Sequence, residues 1–296
     1  MIIDAHSHYE PKLKSESEIL ELMEKHGIEK TILLPLLTIP PEPAKPSFLM
    51  SIQRKLFYFN FLRPLGIKLT KLMYKSKGEW NLGLFKYFIS SKNTNLEIVQ
   101  KPDNAMVISM IDRNPDKFLG WLFLNPSKKS SIEELEKWGK HKGVIGVKLH
   151  PFWHWYGLNE IDAFLEKVEE LGLPINVHLG FDSAGLIDSF RKFKKLKVIF
   201  SHLGVPYYKK IWPEIKANDL WFMDTSSTYH VDEFILKKAV AVVGVEKIIF
   251  ASDTPYTREG SIGELLSWID NLNISGIEKE KMLSSNILRV INWKQK

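Results

Sequence analysis

Residues 144–150 read VIGVKLH, residues 159–171 read NEIDAFLEKVEEL, and residues 174–179 read PINVHL. The first and third stretches are short apolar runs, which are typical of buried strands. The second places apolar residues three and four positions apart, which is typical of an amphipathic helix. The three stretches together therefore predict two parallel strands joined by a helical crossover.

The same unit recurs along the whole chain. Eight strands are predicted, at Ile2–His8, Lys30–Leu36, Phe118–Leu124, Val144–His150, Pro174–Leu179, Lys197–His202, Leu220–Asp224 and Lys247–Asp253. Helical stretches separate them, and a last helix is predicted over Ile277–Trp293. This alternation predicts an α/β fold, a (β/α)8 TIM barrel over residues 1–296. A doubly wound sheet would need a glycine-rich loop after its first strand, where residues 6–9 instead read HSHY.

Composition excludes several classes of protein. The 296 residues contain no cysteine, so disulfide frameworks, thiolate metal sites and cysteine nucleophiles are excluded. No apolar run reaches the roughly 18 residues that a membrane span needs. The first residues, Met1 to Asp4, lead directly into a strand, so we expect no secretory signal and a cytoplasmic protein.

The positive charge is concentrated in one insertion. The net charge is +6, and residues 41–80 hold eight basic residues against two acidic ones, which equals the whole excess. We predict a helical, basic insertion over residues 40–100, leaving the barrel after the second strand. Because active sites of barrels lie at that end, a lid is expected. A membrane-surface helix, a docking face and a solvated helix face are alternatives, but no nucleic-acid signature accompanies the charge.

Five ionisable side chains are predicted at the ends of strands. His6 and His8 share one face of the first strand, because side chains two positions apart point the same way. His178, His202 and Asp253 end three later strands, and a barrel would bring all five to one mouth. Burying so many imidazole and carboxylate groups is costly unless something binds them, which a divalent cation does well.

Several motifs together resemble the amidohydrolase superfamily, specifically its amidohydrolase 2 branch. In chain order they are DAHSH at 4–8, NPDKFLG at 114–120, GVKLHP at 146–151, VH at 177–178, SHLG at 201–204, SDTP at 252–255 and LSSNILR at 283–289. The resemblance covers nearly the whole chain apart from residues 40–100.

The resemblance implies one divalent metal, most often zinc. By this likeness His6, His8 and His178 bind the metal, and Asp253 is a further ligand that also moves protons. His202 would polarise the attacking water or the substrate. Elementary chemistry agrees, because a metal held by neutral imidazoles with an open position lowers the pKa of bound water to about 7. Asp253 can then accept the proton.

A second group of residues is expected to bind substrate. In some relatives outside this branch a lysine of the fourth strand is carboxylated and bridges two metals. We favour one metal, with Lys148 anchoring a substrate carboxylate or pairing with Asp4. His150 shares a strand face with Lys148 and is expected to point into the mouth. Trp153 belongs to an aromatic cluster in the loop after that strand, which suggests a flat or aromatic substrate, and Arg258 suggests an anionic group on it.

Three functions follow from these residues. The first is metal-dependent hydrolysis of a small, anionic lactone, amide or ester. The second is non-oxidative decarboxylation of an unsaturated or aromatic carboxylic acid, which the same branch performs. The third is a binding protein that uses its basic insertion. Because relatives are often dimers, a homodimer is the assembly that the resemblance suggests.

Overall fold

Eight parallel strands alternate with helices in the computed structural model, which describes residues 1–39, 65, 97–151, 154, 158–179, 184–205, 207–257 and 260–291. The strands are β1 (Ile3–Tyr9), β2 (Lys30–Pro35), β3 (Thr38–Ile39), β4 (Glu97–Ile98), β5 (Phe118–Phe123), β6 (Val144–Leu149), β7 (Ile175–Val177), β8 (Val198–Phe200), β9 (Trp221–Asp224) and β10 (Ile248–Ile249). The helices are α1 (Glu16–Lys25), α2 (Asn104–Arg113), α3 (Lys129–Trp138), α4 (Leu158–Glu170), α5 (Ala184–Lys192), α6 (Tyr208–Ala217), α7 (Glu233–Val243), α8 (Ser261–Asp270), α9 (Gly276–Glu280) and α10 (Asn286–Val290).

The eight strands lie side by side in the order β1-β2-β5-β6-β7-β8-β9-β10. The last strand returns to the first, because the Ala5 amide donates to the Phe250 carbonyl over 3.1 Å and Ser7 pairs in parallel with Thr254. The predicted TIM-barrel fold is thus confirmed.

Two apolar layers hold the barrel. Alternate residues of the strands, such as Ile32 and Leu34 of β2, form an interior cluster with Trp121 of β5, whose indole N–H donates to the Ala5 carbonyl over 2.9 Å. The opposite faces of the strands pack against the helices, as Leu33 and Leu122 do. Strands buried on both faces explain the continuous apolar runs of the sequence.

The helices begin where the sequence supplies caps. Ser15 and Glu18 form a capping box at the start of α1, and Asp232 accepts from the Ile235 amide at the start of α7. Each such cap contributes about 1 kcal/mol. Among the described helices, none is long and apolar enough to cross a membrane.

Three strands are shorter than predicted. β7, β8 and β10 end at Val177, Phe200 and Ile249, before the residues that carry the candidate chemistry. Their chains leave the ladder at that point, and His202 and Asp253 adopt a positive φ that a strand does not tolerate.

A short antiparallel pair was not predicted. β3 pairs with β4, so the chain leaves the barrel after β2 and returns beside its point of departure. Most of the predicted insertion over residues 40–100 lies outside the described residues, and the lid stays a prediction from the sequence.

Candidate metal centre and active site

The predicted site residues lie at the carboxyl ends of the barrel strands. His6 and His8 belong to β1, His178 directly follows β7, His202 lies just after β8, and Asp253 lies beyond β10. His178 is half-buried and the other four are buried. Because parallel strands of a barrel end at one rim, the fold brings these side chains to the same mouth.

His6, His8 and Asp253 form the first cluster. Oδ1 of Asp253 lies 3.4 Å from Nε2 of His6 and 3.4 Å from Nε2 of His8. One potential ligand atom from each residue lies within 4.8 Å of the others. Two imidazoles and a carboxylate are a donor set that suits zinc and other divalent cations.

The hydrogen bonds of these rings test whether a cation fits. Nδ1 of His8 is 2.8 Å from the Pro35 carbonyl oxygen, which only accepts, so the lone pair of His8 is on Nε2. Among the described residues, the buried Nε2 of His6 has no hydrogen-bond partner. Both nitrogens face the same Asp253 oxygen, and a cation between them would satisfy all three atoms. The residues present therefore fit a metal.

His178, His202 and His230 form a second cluster. Nε2 of His202 lies 2.7 Å from Nδ1 of His178, and the rings of His202 and His230 are 4.4 Å apart. The ring centroids of His6 and His202 are 6.0 Å apart, so the two clusters adjoin. Among the described residues, His178 therefore groups with His202 and His230 and not with His6, His8 and Asp253, the residues with which the sequence places it as a metal ligand.

The backbone of His202 and Asp253 is left-handed, with φ values of 56° and 62°. This conformation costs a non-glycine residue about 1–3 kcal/mol and collects at functional sites. Hydrogen bonds hold both turns: the His202 amide donates to Oδ1 of Asp224 over 3.0 Å, and the Asp253 amide donates to the His6 carbonyl over 2.7 Å. Leu203 and Ser227 share this conformation, so the left-handed turns include the two residues that the sequence predicts as catalytic and two of their neighbours around the mouth.

The imidazoles of His202 and His178 are neutral at neutral pH. Burial, and after it the charge of His230, lower the pKa of His202 to about 3 against the opposing charge of Asp253. Burial also holds the pKa of His178 well below its usual range. The pKa of Asp253 lies below its usual range, since the hydrogen bond with His8 and nearby imidazoles outweigh burial, which raises it. Neutral imidazole and ionised carboxylate are the forms that bind metals.

Lys148 lies fully inside the barrel mouth. Its Nζ donates to Oδ1 of Asn176 over 2.5 Å and to Oγ of Ser201 over 2.7 Å. Burial lowers the pKa of Lys148 to about 8, although the nearby carboxylates act against this. Asp4, the alternative partner weighed from the sequence, instead accepts hydrogen bonds from the amide and hydroxyl of Ser252.

The expected substrate-binding residues are only partly described. The His150 ring stacks on the His178 ring at 4.1 Å, with Phe123 on another side at 6.4 Å. Trp153 and Arg258 lie outside the described residues, and their roles stay predictions from the sequence.

A family model described as Amidohydrolase matches residues 91–293, more than half of the chain. This chain belongs to the amidohydrolase family. The match includes His178, His202 and Asp253, while His6 and His8 precede it. Amidohydrolases of this family are metal-dependent enzymes that act on small molecules.

Several solved structures share the barrel of this amidohydrolase. The 2,6-dihydroxybenzoate decarboxylase from Rhizobium is 17% identical, with a TM-score of 0.61 and 98% of each chain covered. A dihydroxybenzoic acid decarboxylase from Polaromonas, solved with manganese and 2-nitroresorcinol, is also 17% identical, with a TM-score of 0.61 and coverage of 98% of this chain and 96% of that one. A probable 2-pyrone-4,6-dicarboxylic acid hydrolase from Acinetobacter baumannii, with citric acid bound, is 15% identical, with a TM-score of 0.61 and 99% of each chain covered.

Two polar residues of the amidohydrolase site were not predicted. Asn176 contacts Lys148 and Asp224, and Ser226 contacts His202 and Asp224. Asn176 precedes His178 by two positions, and Ser226 follows Asp224 by two. The period of two that identified His6 and His8 is therefore the signal that could have found Asn176.

Proposed function

We propose that this amidohydrolase is a hydrolase of a small, anionic lactone, amide or ester that uses one divalent cation, zinc. The observation that carries the proposal is the convergence of two imidazole nitrogens on one Asp253 oxygen, at 3.4 Å each. His6, His8, His178 and Asp253 would hold the cation.

A cation at this position would supply Lewis acidity, lowering the pKa of a coordinated water to about 7 and polarising a substrate oxygen. Asp253 is ionised and can accept the proton that the attacking water loses. His202 donates from Nδ1 to the Ser226 carbonyl over 2.8 Å, so its Nε2 is an acceptor. Nε2 of His202 is thereby suited to accept a hydrogen bond from a water molecule or from Nδ1 of His178, while Nδ1 of His202 stays bonded to the Ser226 carbonyl.

Substrate contacts are proposed for the residues around this centre. His150 lies against the His178 ring, 4.1 Å away, and is proposed to contact the substrate from there. Lys148 supplies positive charge to the mouth and favours an anionic one. Trp153 and Arg258 complete the proposed set from the sequence alone. We further propose a cytoplasmic homodimer, from the sequence and its resemblance.

Decarboxylation of a hydroxylated aromatic acid is the second candidate. It is favoured by the names of two of the similar structures, which are dihydroxybenzoate decarboxylases. In that reaction a protonated group would deliver a proton to carbon as CO2 leaves.

One experiment separates the two reactions. Zinc-loaded protein is incubated with a panel of lactone carboxylates and of dihydroxybenzoates, and acid release and CO2 release are measured in parallel. Hydrolysis predicts acid release from the lactones, with His6→Ala inactive as the matched control. CO2 from the benzoates with no lactone hydrolysis would replace the first proposal by the second.

A further inference from the structure

A chain of buried hydrogen bonds runs from Lys148 to His6. It passes through Asn176 of β7 and Asp224 of β9, and all four side chains are buried. We propose that this series of hydrogen bonds sets the tautomer of His6, with the proton on Nδ1 and the lone pair on Nε2. The proposal rests on the proposed function, because it presents that lone pair to the cation site.

The donor-to-acceptor direction of these hydrogen bonds is fixed first at Lys148. An ammonium group only donates, and Nζ of Lys148 lies 2.5 Å from Oδ1 of Asn176. The Ser201 hydroxyl donates to the same oxygen over 2.7 Å. Two donors therefore fix the amide with its oxygen toward Lys148 and its NH2 group toward Asp224, where Nδ2 donates to Oδ2 over 2.9 Å.

Asp224 links the amide of Asn176 to the ring of His6 and accepts hydrogen bonds on both of its oxygens. Its Oδ1 accepts from the amides of His202 and Ser226, each over 3.0 Å, and from the Ser226 hydroxyl. Its Oδ2 accepts from Asn176. With donors on both oxygens the carboxylate has no room for a proton of its own, so it can only accept from the next ring.

His6 is that ring. Its Nδ1 lies 3.4 Å from Oδ2 of Asp224 in a geometry that permits a hydrogen bond, and an acceptor there requires Nδ1 to carry the proton. Its Nε2 makes no hydrogen bond within the described part of the chain and faces Asp253. The lone pair is thus held where a cation would bind, as carboxylate partners of metal-binding histidines generally ensure.

This assigns Lys148 and Asp224 as positioning residues. Lys148 acts on His6 through Asn176 and Asp224, in addition to any contact with substrate. A substrate anchor alone would change KM and leave His6 unaffected. The two roles therefore differ in what Lys148→Met does to the His6 ring.

The first test needs no cation and no substrate. Nitrogen NMR of metal-free protein with 15N-labelled histidine is recorded at about pH 7.5, above the ordinary histidine pKa and below the pKa of about 8 of Lys148, so that Lys148 keeps its ammonium form. His6 is assigned by comparison with His6→Gln. We expect the Nδ1–H tautomer in the unaltered protein and a shift toward Nε2–H in Asp224→Asn, whose amide can donate to Nδ1. An Nε2–H ring in the unaltered protein, or the same ring in both, would overturn the proposal.

The second test measures cation affinity by competition with a chelator. Asp224→Asn is expected to bind cobalt(II) about 10–100-fold more weakly, with an altered visible spectrum. Lys148→Met is expected to change both readouts in the same direction by a smaller factor. The matched control is Asn286→Asp, which disrupts a buried amide bonded to the carbonyls of Val245 and Ile248, away from the mouth. The control should lose stability and keep its affinity.

The outcomes separate the two proposals. If Asp224→Asn only loses stability, as the control does, the positioning role is wrong while the cation site stands. If the unaltered protein binds no cation, the proposed function is wrong. The tautomer measured in the metal-free protein still decides whether Asp224 and Lys148 orient His6.

Discussion

Nε2 of His202 accepts a hydrogen bond from Nδ1 of His178 across 2.7 Å. The direction follows from the Ser226 carbonyl, which binds the other nitrogen of His202 over 2.8 Å and can only accept. The two rings therefore form an ordered pair, with the proton of His178 pointing at His202. The pair thus fixes which nitrogen of each ring carries the proton.

His202→Asn should separate chemistry from metal binding. Asparagine tolerates the left-handed backbone at this position, where φ is 56°, so the turn should survive. We expect kcat to fall by about 10²–10⁴-fold, the range of a lost acid or base, while bound zinc stays unchanged. His26→Asn, at the end of α1 and away from the mouth, is the matched control. An unchanged kcat in His202→Asn would contradict the role.

Metal analysis should find one equivalent per chain. After dialysis against a weak chelator, the unaltered protein is expected to retain about one zinc and His6→Ala none, because His6 supplies one of the proposed nitrogen ligands. His141→Ala, a histidine that contacts Asp112 on the surface, should behave like the unaltered protein. Two equivalents would favour a carboxylated Lys148, and retention by His6→Ala would place the site elsewhere.

The metal-free protein should become less stable as the pH falls below about 6.5. Burial lowers the pKa values of His8, His150, His178 and His202 in the folded state, whereas the unfolded chain titrates near 6.5. Between those values only the unfolded state binds the protons. The free energy of unfolding therefore falls by about 1.4 kcal/mol per pH unit for each group in that range.

Urea unfolding at about pH 7.5, 6.5 and 5.5 measures this slope. Asp4 acts in the opposite direction below pH 6, because burial raises its pKa to about 6 in the folded state. One acid opposing four imidazoles leaves the net sign unchanged. His202→Asn should reduce the slope, and a stability that rises toward pH 5.5 would contradict the prediction.

Gly146→Ala should destabilise the barrel at the strand that carries Lys148. A Cβ at residue 146 would lie 2.4 Å from the Pro174 carbonyl oxygen and 2.4 Å from the Trp121 ring, closer than any real contact. We expect a loss of about 1–3 kcal/mol in the free energy of unfolding. Gly276→Ala, where nothing lies within 4 Å, is the control and should not destabilise. Equal stability of the two variants would sink the steric argument.

Apolar periodicity was sufficient to predict the barrel. β2 begins at Lys30 and β5 at Phe118, both as predicted. Periodicity could not show where β8 and β10 end. The apolar runs before Ser201 and Ser252 look the same in the sequence whether the strand stops there or continues. Those ends depend on left-handed turns that long-range hydrogen bonds hold, such as the one from the Asp253 amide to the His6 carbonyl.

The candidate site was predictable in its ionisable members and less so in its neutral ones. His6, His8 and Asp253 meet as the motif order suggests. The period of two places Asn176 on the face of His178, but an uncharged amide does not stand out there, and its role becomes visible from its contacts with Lys148 and Asp224. Contacts between strands that are distant in sequence leave no local pattern to read.

The pairing of β3 with β4 brings the two ends of the sequence between Ile39 and Glu97 side by side. Neighbouring strands lie about 4.8 Å apart, so the excursion starts and finishes at nearly one point on the barrel. A tight turn spans that gap as readily as a long segment does, and the closed sheet carries no strain from the choice. A change in the length of the sequence between Ile39 and Glu97 is therefore expected to leave the strand ends that carry the histidines in place.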